Sequence, residues 1–338
     1  MTRRRLGRGL GDLGAAPFVS SRFAKPELTL VQDYGVGGPA AGRRPVILCV
    51  TSGKGGTGKS VLTSNLAVHL AASGLRVVAV DADMGLANLH LLLGVQPQRT
   101  VMEVIESGAT LDEVAETGPL GVRLAAGGSG RPDMADLHPA RLARLVAAMD
   151  AEGDRAEVVL VDTGAGIGRA TTSFLYALGE IVVVTTPDLT AMTDGYAVIK
   201  NVAHNNPSAR IFVVVNRAKS AVEGLEVFGK IDRVSQRFLR RPLFYLGHVL
   251  NDARVGASVA CRIPIVLNQP AAPASACFRG VGRKLLIEID RKRGVTSAGA
   301  GTLAGPDRAG TLAGADGAVA PRATSRPAVP PERGPECA

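Results

Sequence analysis

Eight residues, Gly53-Lys54-Gly55-Gly56-Thr57-Gly58-Lys59-Ser60, satisfy the phosphate-binding pattern G-x-x-x-x-G-K-[ST]. Glycines at this spacing let successive backbone N–H groups curl around phosphate oxygens, and a helix beginning there adds partial positive charge. Lys59 would reach the β- and γ-phosphates, and the Ser60 hydroxyl would ligate Mg²⁺. Two acidic clusters follow. In Val80-Asp81-Ala82-Asp83-Met84-Gly85-Leu86-Ala87-Asn88-Leu89, one carboxylate can hold the hydration shell of Mg²⁺ while the other orients a water against the γ-phosphate. In Val158-Val159-Leu160-Val161-Asp162-Thr163-Gly164-Ala165-Gly166-Ile167, four apolar residues end in an Asp that can support Mg²⁺. The Gly-x-Gly after it can move in response to a γ-phosphate.

Such residues act together only if rigid elements bring them to one place. The apolar run Val46–Val50 reads as a buried strand entering the loop, and Val61–Leu70 as the helix leaving it. Further strands are expected at 77–81, 157–162, 181–185 and 211–216, with weaker candidates at 122–125 and 243–246. Runs such as Glu157–Val161 and Ile181–Val184 are apolar on both faces, as a sheet covered on both sides requires. Strands alternating with helical periodicity predict an α/β fold, a doubly wound and mostly parallel sheet with helices on both faces. Its ligand would bind at the carboxyl ends of the strands, where the loop already lies.

The seven residues Lys54–Ser60 resemble the deviant Walker A box of the MinD/ParA family of P-loop ATPases, marked by its first lysine. Asp81–Leu89 is similar to that family's switch I, and Asp162–Ile167 to its Walker B and switch II. Val184–Lys200, Val213–Ala218, Arg237–Leu239 and Tyr245–His248 bring the likeness closest to the FlhG/FleN flagellar-number regulators, over about residues 46–290. The resemblance implies an ATP- and Mg²⁺-dependent ATPase that dimerises when ATP is bound. It implies that Gly53, Lys54, Gly55, Gly56, Thr57, Gly58, Lys59, Ser60 and Val61 cradle the nucleotide, with Lys54 reaching the phosphates of the other subunit. Asp83 would position the attacking water, Ser60, Asp81 and Asp162 would serve the metal, and Asn216 and Asp252 would contact the adenine. The implied role is control of flagellar number or placement. Alternatives are a ParA-like partitioning ATPase that binds DNA non-specifically, and a nucleotide-binding adaptor with little turnover. The expected partner is an FlhF-like GTPase or a ParB-like activator. His90 departs from the flagellar branch, which often has an acid there. No Asp-Gln-Ala activator motif stands at the N-terminus, where Leu6-Gly7-Arg8-Gly9-Leu10 is similar to the start of ParB proteins.

Charge separates the remaining surfaces. Of the net +9, residues 1–45 supply eight Lys or Arg against three Asp or Glu, so this Gly-rich stretch reads as a basic arm and linker. The ATPase domain is expected at 46–293, and the Ala/Gly/Pro-rich 294–338 reads as a disordered tail. Lys230, Arg233, Arg237, Arg240 and Arg241 recur at helical steps, forming either a solvated face or a contact for DNA phosphates, anionic lipid or an acidic partner. The helix expected from about Ser275 to Arg293 places Phe278, Val281, Leu285 and Ile289 on one side. It either lies on a membrane or packs as the last helix of the domain. Four scattered cysteines without a C-x-x-C pair argue against a zinc site. With no bilayer-length apolar run and no signal peptide, the expected location is the cytoplasm, with peripheral contact at the inner face of the membrane left open.

Overall fold

The computed structural model describes residues 44–128 and 139–294. All of the arm expected at 1–45 except its last two residues, and all of the tail expected at 294–338 except Gly294, lie outside them. Eight strands form one sheet: β1 (Val46–Ser52), β2 (Val77–Ala82), β3 (Glu116–Thr117), β4 (Arg123–Ala125), β5 (Val158–Ala165), β6 (Glu180–Thr185), β7 (Arg210–Ala218) and β8 (Phe244–Leu250). Their spatial order is β3-β4-β2-β5-β1-β6-β7-β8, and each neighbouring pair is parallel except β3 with β4. All seven expected strands are present within a few residues at their ends. Only β3, two residues long, was not anticipated.

Alternation along the central strands builds two cores. Ile47, Cys49, Val159, Val161, Ile181 and Val183 point to one face, and Leu48, Val50, Leu160, Val182 and Val184 to the other. The first face is covered by α3 (Val101–Ser107), α5 (Pro139–Asp150), α6 (Arg169–Ala177), α7 (Leu189–Asn205) and α8 (Ala221–Leu239). The second is covered by α1 (Lys59–Ala72) and α11 (Pro273–Arg293). Short helices α2 (Leu89–Leu92), α4 (Leu111–Val114), α9 (Ala253–Ala260) and α10 (Ile265–Asn268) complete the connections. Among the described residues no helix is long and apolar enough to cross a membrane.

The packing chooses between the two readings of α11 and shortens one expected surface. In α11 the side chains of Phe278, Val281, Leu285 and Ile289 are at most 1% exposed, because they fill the second core. Gly282 permits this packing: a Cβ there would lie 2.0 Å from Cδ2 of His69 on α1. Lys292 and Arg293 then tie the helix end to Glu180 at 3.0 Å and Glu157 at 2.6 Å. Of the two expected alternatives, the apolar stripe therefore takes the second and packs as the last helix of the domain. The cationic series on α8 is also shorter than its spacing suggests. The helix ends at Leu239, Arg240 caps it with φ 54°, and the half-buried Arg241 turns inward to donate to the carbonyls of Asn206 and Ala209.

Candidate functional site

The loop between β1 and α1 is held from three sides. On one, Gly53 presses against α7 so closely that a Cβ would lie 2.0 Å from the backbone carbon of Asp194. On another, Asn216, at the end of β7, donates from Nδ2 to the carbonyl of Thr57 at 2.7 Å. Gly58 makes room for that contact: its φ is 90°, and a Cβ would lie 2.2 Å from Asn216 Nδ2. On the third, the Gly166 N–H donates to the carbonyl of Ser52 at 2.8 Å, linking the segment after β5 to the base of the loop.

What the loop leaves unpaired defines its ligand. Gly58 is the N-cap of α1, no side chain caps the helix, and its first turn carries no acid. First-turn N–H groups and the helix dipole are thus directed at whatever occupies the loop, a setting that favours phosphate. The Thr57 hydroxyl is buried with no hydrogen-bond partner among the described residues. Lys59, 8% exposed, supplies the fixed positive charge. The expected cradle therefore fits a nucleotide phosphate chain.

Asp81 and Asp162 stand opposite each other on the neighbouring strands β2 and β5, both at most 1% exposed. Burial is the main reason that Asp81 is pushed up to about 7, with the Asp162 charge adding to it. Burial likewise pushes Asp162 up to about 6, against the pull of Lys59 and of hydrogen bonds from Ser60 and Thr63. Thr63 Oγ1 donates to Asp162 Oδ1 at 3.2 Å. Asp81 accepts the N–H groups of Asp83 at 3.1 Å and Leu89 at 2.9 Å, so it closes the intervening loop on itself. Asp83 Oδ1 accepts from Gly85 at 3.3 Å and Leu86 at 3.1 Å, and lies beside Gly164. Among the described residues, Lys59 is the one cation drawing on these two buried carboxyls beside a serine hydroxyl. Among the described residues no group of three or more His, Cys, Asp or Glu could hold a metal alone. A divalent ion there would need phosphate and water oxygens to complete its shell, as Mg²⁺ sites at nucleotides do.

Lys54 is exposed and turned toward the start of α7. Its Nζ donates to Thr190 Oγ1 at 2.7 Å and lies 3.9 Å from Asp188 Oδ2. Asp188 is the N-cap of α7, and hydrogen bonds from the Thr190 hydroxyl and from backbone N–H groups hold its carboxyl below the usual range. Asp252 is the N-cap of α9 and also accepts from Arg254 Nε at 2.8 Å and the Ala274 N–H at 3.3 Å. Its carboxylate is thus engaged in joining α9 to α11. Asn216, expected to meet adenine, also braces the loop, and its Oδ1 accepts the Arg217 N–H at 2.9 Å. Sequence reasoning passed over the residues beside it. An open cleft of about 590 Å³ is lined by Lys54, Thr57, Pro187, Arg217 and Lys219, among others. Arg217 has φ 57°, an uncommon backbone state for a side chain of this size and one often kept at functional sites.

The family model for the CobQ/CobB/MinD/ParA nucleotide binding domain matches residues 48–265. Antiactivator FleN of Pseudomonas aeruginosa is 39% identical over 239 residues, covering 71% of this chain and 85% of that protein. Flagellum site-determining protein YlxH of Helicobacter pylori is 35% identical over 209 residues, 61% of this chain and 70% of that protein. The structure of cell division ATPase MinD of Pyrococcus furiosus superposes with a TM-score of 0.61 at 25% identity, covering 72% of this chain and 99% of that one.

Proposed function

The chain belongs to the CobQ/CobB/MinD/ParA family of nucleotide-binding proteins and is a P-loop ATPase, and from that premise we propose that it is an ATP-driven dimerisation switch controlling flagellar number or placement. The single observation that carries the switch is Lys54. Its ammonium lies at the start of α7, where only an exposed ion pair and one hydroxyl hold it. A contact of that kind is worth about 0–1 kcal/mol, so Lys54 can leave Asp188 for a phosphate chain bound in a second copy. Within each subunit Lys59 and the start of α1 would hold the phosphates, and Ser60 and Asp162 would hold the metal. Mg²⁺ supplies charge neutralisation on the phosphate oxygens when bound. Asp83, tethered in the loop that Asp81 closes, orients the water. Gly166, bonded to Ser52, couples that event to the segment after β5.

The flagellar assignment is supported by YlxH, a relative named for determining the flagellum site, and by the resemblance to the FlhG/FleN regulators. The test separates binding from switching. Lys59→Ala should abolish ATP binding in calorimetry, whereas Lys54→Ala should keep binding but lose the ATP-dependent doubling of mass in light scattering. Retained dimerisation in Lys54→Ala would remove the switch. A flagellar count unchanged by deletion of the gene would remove the pathway and leave the ATPase untouched.

A further inference from the structure

Two hydroxyls of α1, those of Ser60 and Thr63, hydrogen-bond to Asp162. They stand three residues apart on the helix and so share the side that faces β5. Their duties differ. Ser60 ends the phosphate loop, whereas Thr63 lies most of a turn further along and is 0% exposed. Thr63 Oγ1 is 3.1 Å from the Lys59 carbonyl and 3.2 Å from Asp162 Oδ1, so one proton serves two acceptors. The Lys59 carbonyl is already the acceptor that the helix ladder assigns to the Thr63 N–H. The buried carboxyl therefore has the greater need of the hydroxyl proton. Contact with Lys59 also fixes the rotamer of Thr63, and the fixed hydroxyl in turn fixes Asp162. Asp81, opposite on β2, accepts hydrogen bonds from its own loop, so the anchoring of Asp162 falls to α1.

We propose that Thr63 is a positioning residue for the metal, holding the Asp162 carboxyl in the orientation that a phosphate-bound Mg²⁺ requires. Thr63 itself touches neither the ion nor the nucleotide. The inference rests on the reading that Mg²⁺ binds beside Ser60 and Asp162, and adds what keeps that carboxylate in place. Its Oδ1 is committed to α1, which leaves the other oxygen for the ion's shell. Carboxylates that serve a metal are commonly held by hydrogen bonds of their own, and losing such a bond weakens the metal. A helix threonine bonded only to its own backbone would have no bearing on the ion. What sets Thr63 apart is its contact with a carboxylate on another element, 99 residues away in the chain.

Calorimetry of the full-length protein with ADP, with and without Mg²⁺, reads the gain in ADP affinity that the ion confers. ADP is chosen so that ATP-dependent dimerisation does not enter the measurement. Thr63→Val keeps the shape and removes the hydroxyl. It should lower that gain about tenfold and leave the Mg²⁺-free affinity, set by Lys59 and the loop, unchanged. Thr63→Ser returns the hydroxyl and should recover most of the gain. If Thr63→Val does not fold, Thr63→Ala removes the same hydroxyl without crowding the core and carries the same expectation. A gain in Thr63→Val equal to the parent's would overturn the proposal. So would an equal loss of ADP affinity with and without Mg²⁺, since the hydroxyl would then serve only the helix. A parent that binds ADP with no gain from Mg²⁺ would remove the metal reading itself, and the proposal with it.

Discussion

Replacing Asp162 by Asn should make the nucleotide-free protein more stable at pH 8 while destroying its response to Mg²⁺ and ATP. Asp162 is 1% exposed and faces Asp81 across the strand pair. The unfolded chain ionises this carboxyl near its ordinary 3.8, the folded one only near about 6. Between those values the folded state binds more protons, so stability falls as pH rises from about 4 to about 6 and stays reduced above that. A change of that size corresponds to about 3 kcal/mol, at about 1.4 kcal/mol for each tenfold change in proton affinity. Asn has the shape of the protonated acid and can accept the hydrogen bonds from Thr63 and Ser60. For a domain of this length the gain amounts to about 6–12 °C in melting temperature, at 2–4 °C per kcal/mol. The assay is thermal unfolding in chelator across pH, reading the difference between variant and parent. That difference should vanish below about pH 4 and be complete above about pH 6. A variant that melts lower than the parent at pH 8 would refute the reasoning, because the buried carboxylates would then not be a charge held against its preference.

Gly58→Ala should prevent ATP binding and cost about 1–3 kcal/mol of stability, since its φ of 90° is strained for alanine and the new Cβ meets Asn216; Asn216→Ala on that background should recover part of the stability but not the binding. Asp188→Ala should lower the melting temperature slightly through the lost cap on α7. By releasing Lys54 it should also raise ATP-dependent dimer formation up to about fivefold in light scattering, the worth of an exposed pair.

The sheet was legible because its strands are apolar on both faces and the loops between them are short, so periodicity and length pointed to one architecture. The loop from Gly53 to Ser60 was legible because its chemistry depends on backbone geometry that only glycine at fixed spacing provides. Asp81, Asp83 and Asp162 followed from their places at strand ends. The fate of α11 was not legible. A helix that buries one apolar stripe reads the same whether the stripe meets a membrane or a sheet. Here the choice rests on Gly282 fitting against His69, a contact between residues far apart in the chain. Arg241 misled for a related reason: spacing placed it on the α8 face, but the helix stops at Leu239 with Arg240 in the left-handed region.

The same distinction explains Lys54 and Asn216. Sequence assigns a residue type to a kind of ligand, but in the single chain each of these side chains takes a partner within the protein. Asn216 holds the loop carbonyl at Thr57, a buried contact that costs more to break than an exposed one. Lys54 holds Asp188 in solvent, with roughly half of each side chain exposed. A ligand must exchange contacts with both, and the exchange is cheap only at Lys54. The residue that sequence marks as the family's signature is thus also the loop side chain whose present bond is easiest to trade. That is the physical property a switch requires of it.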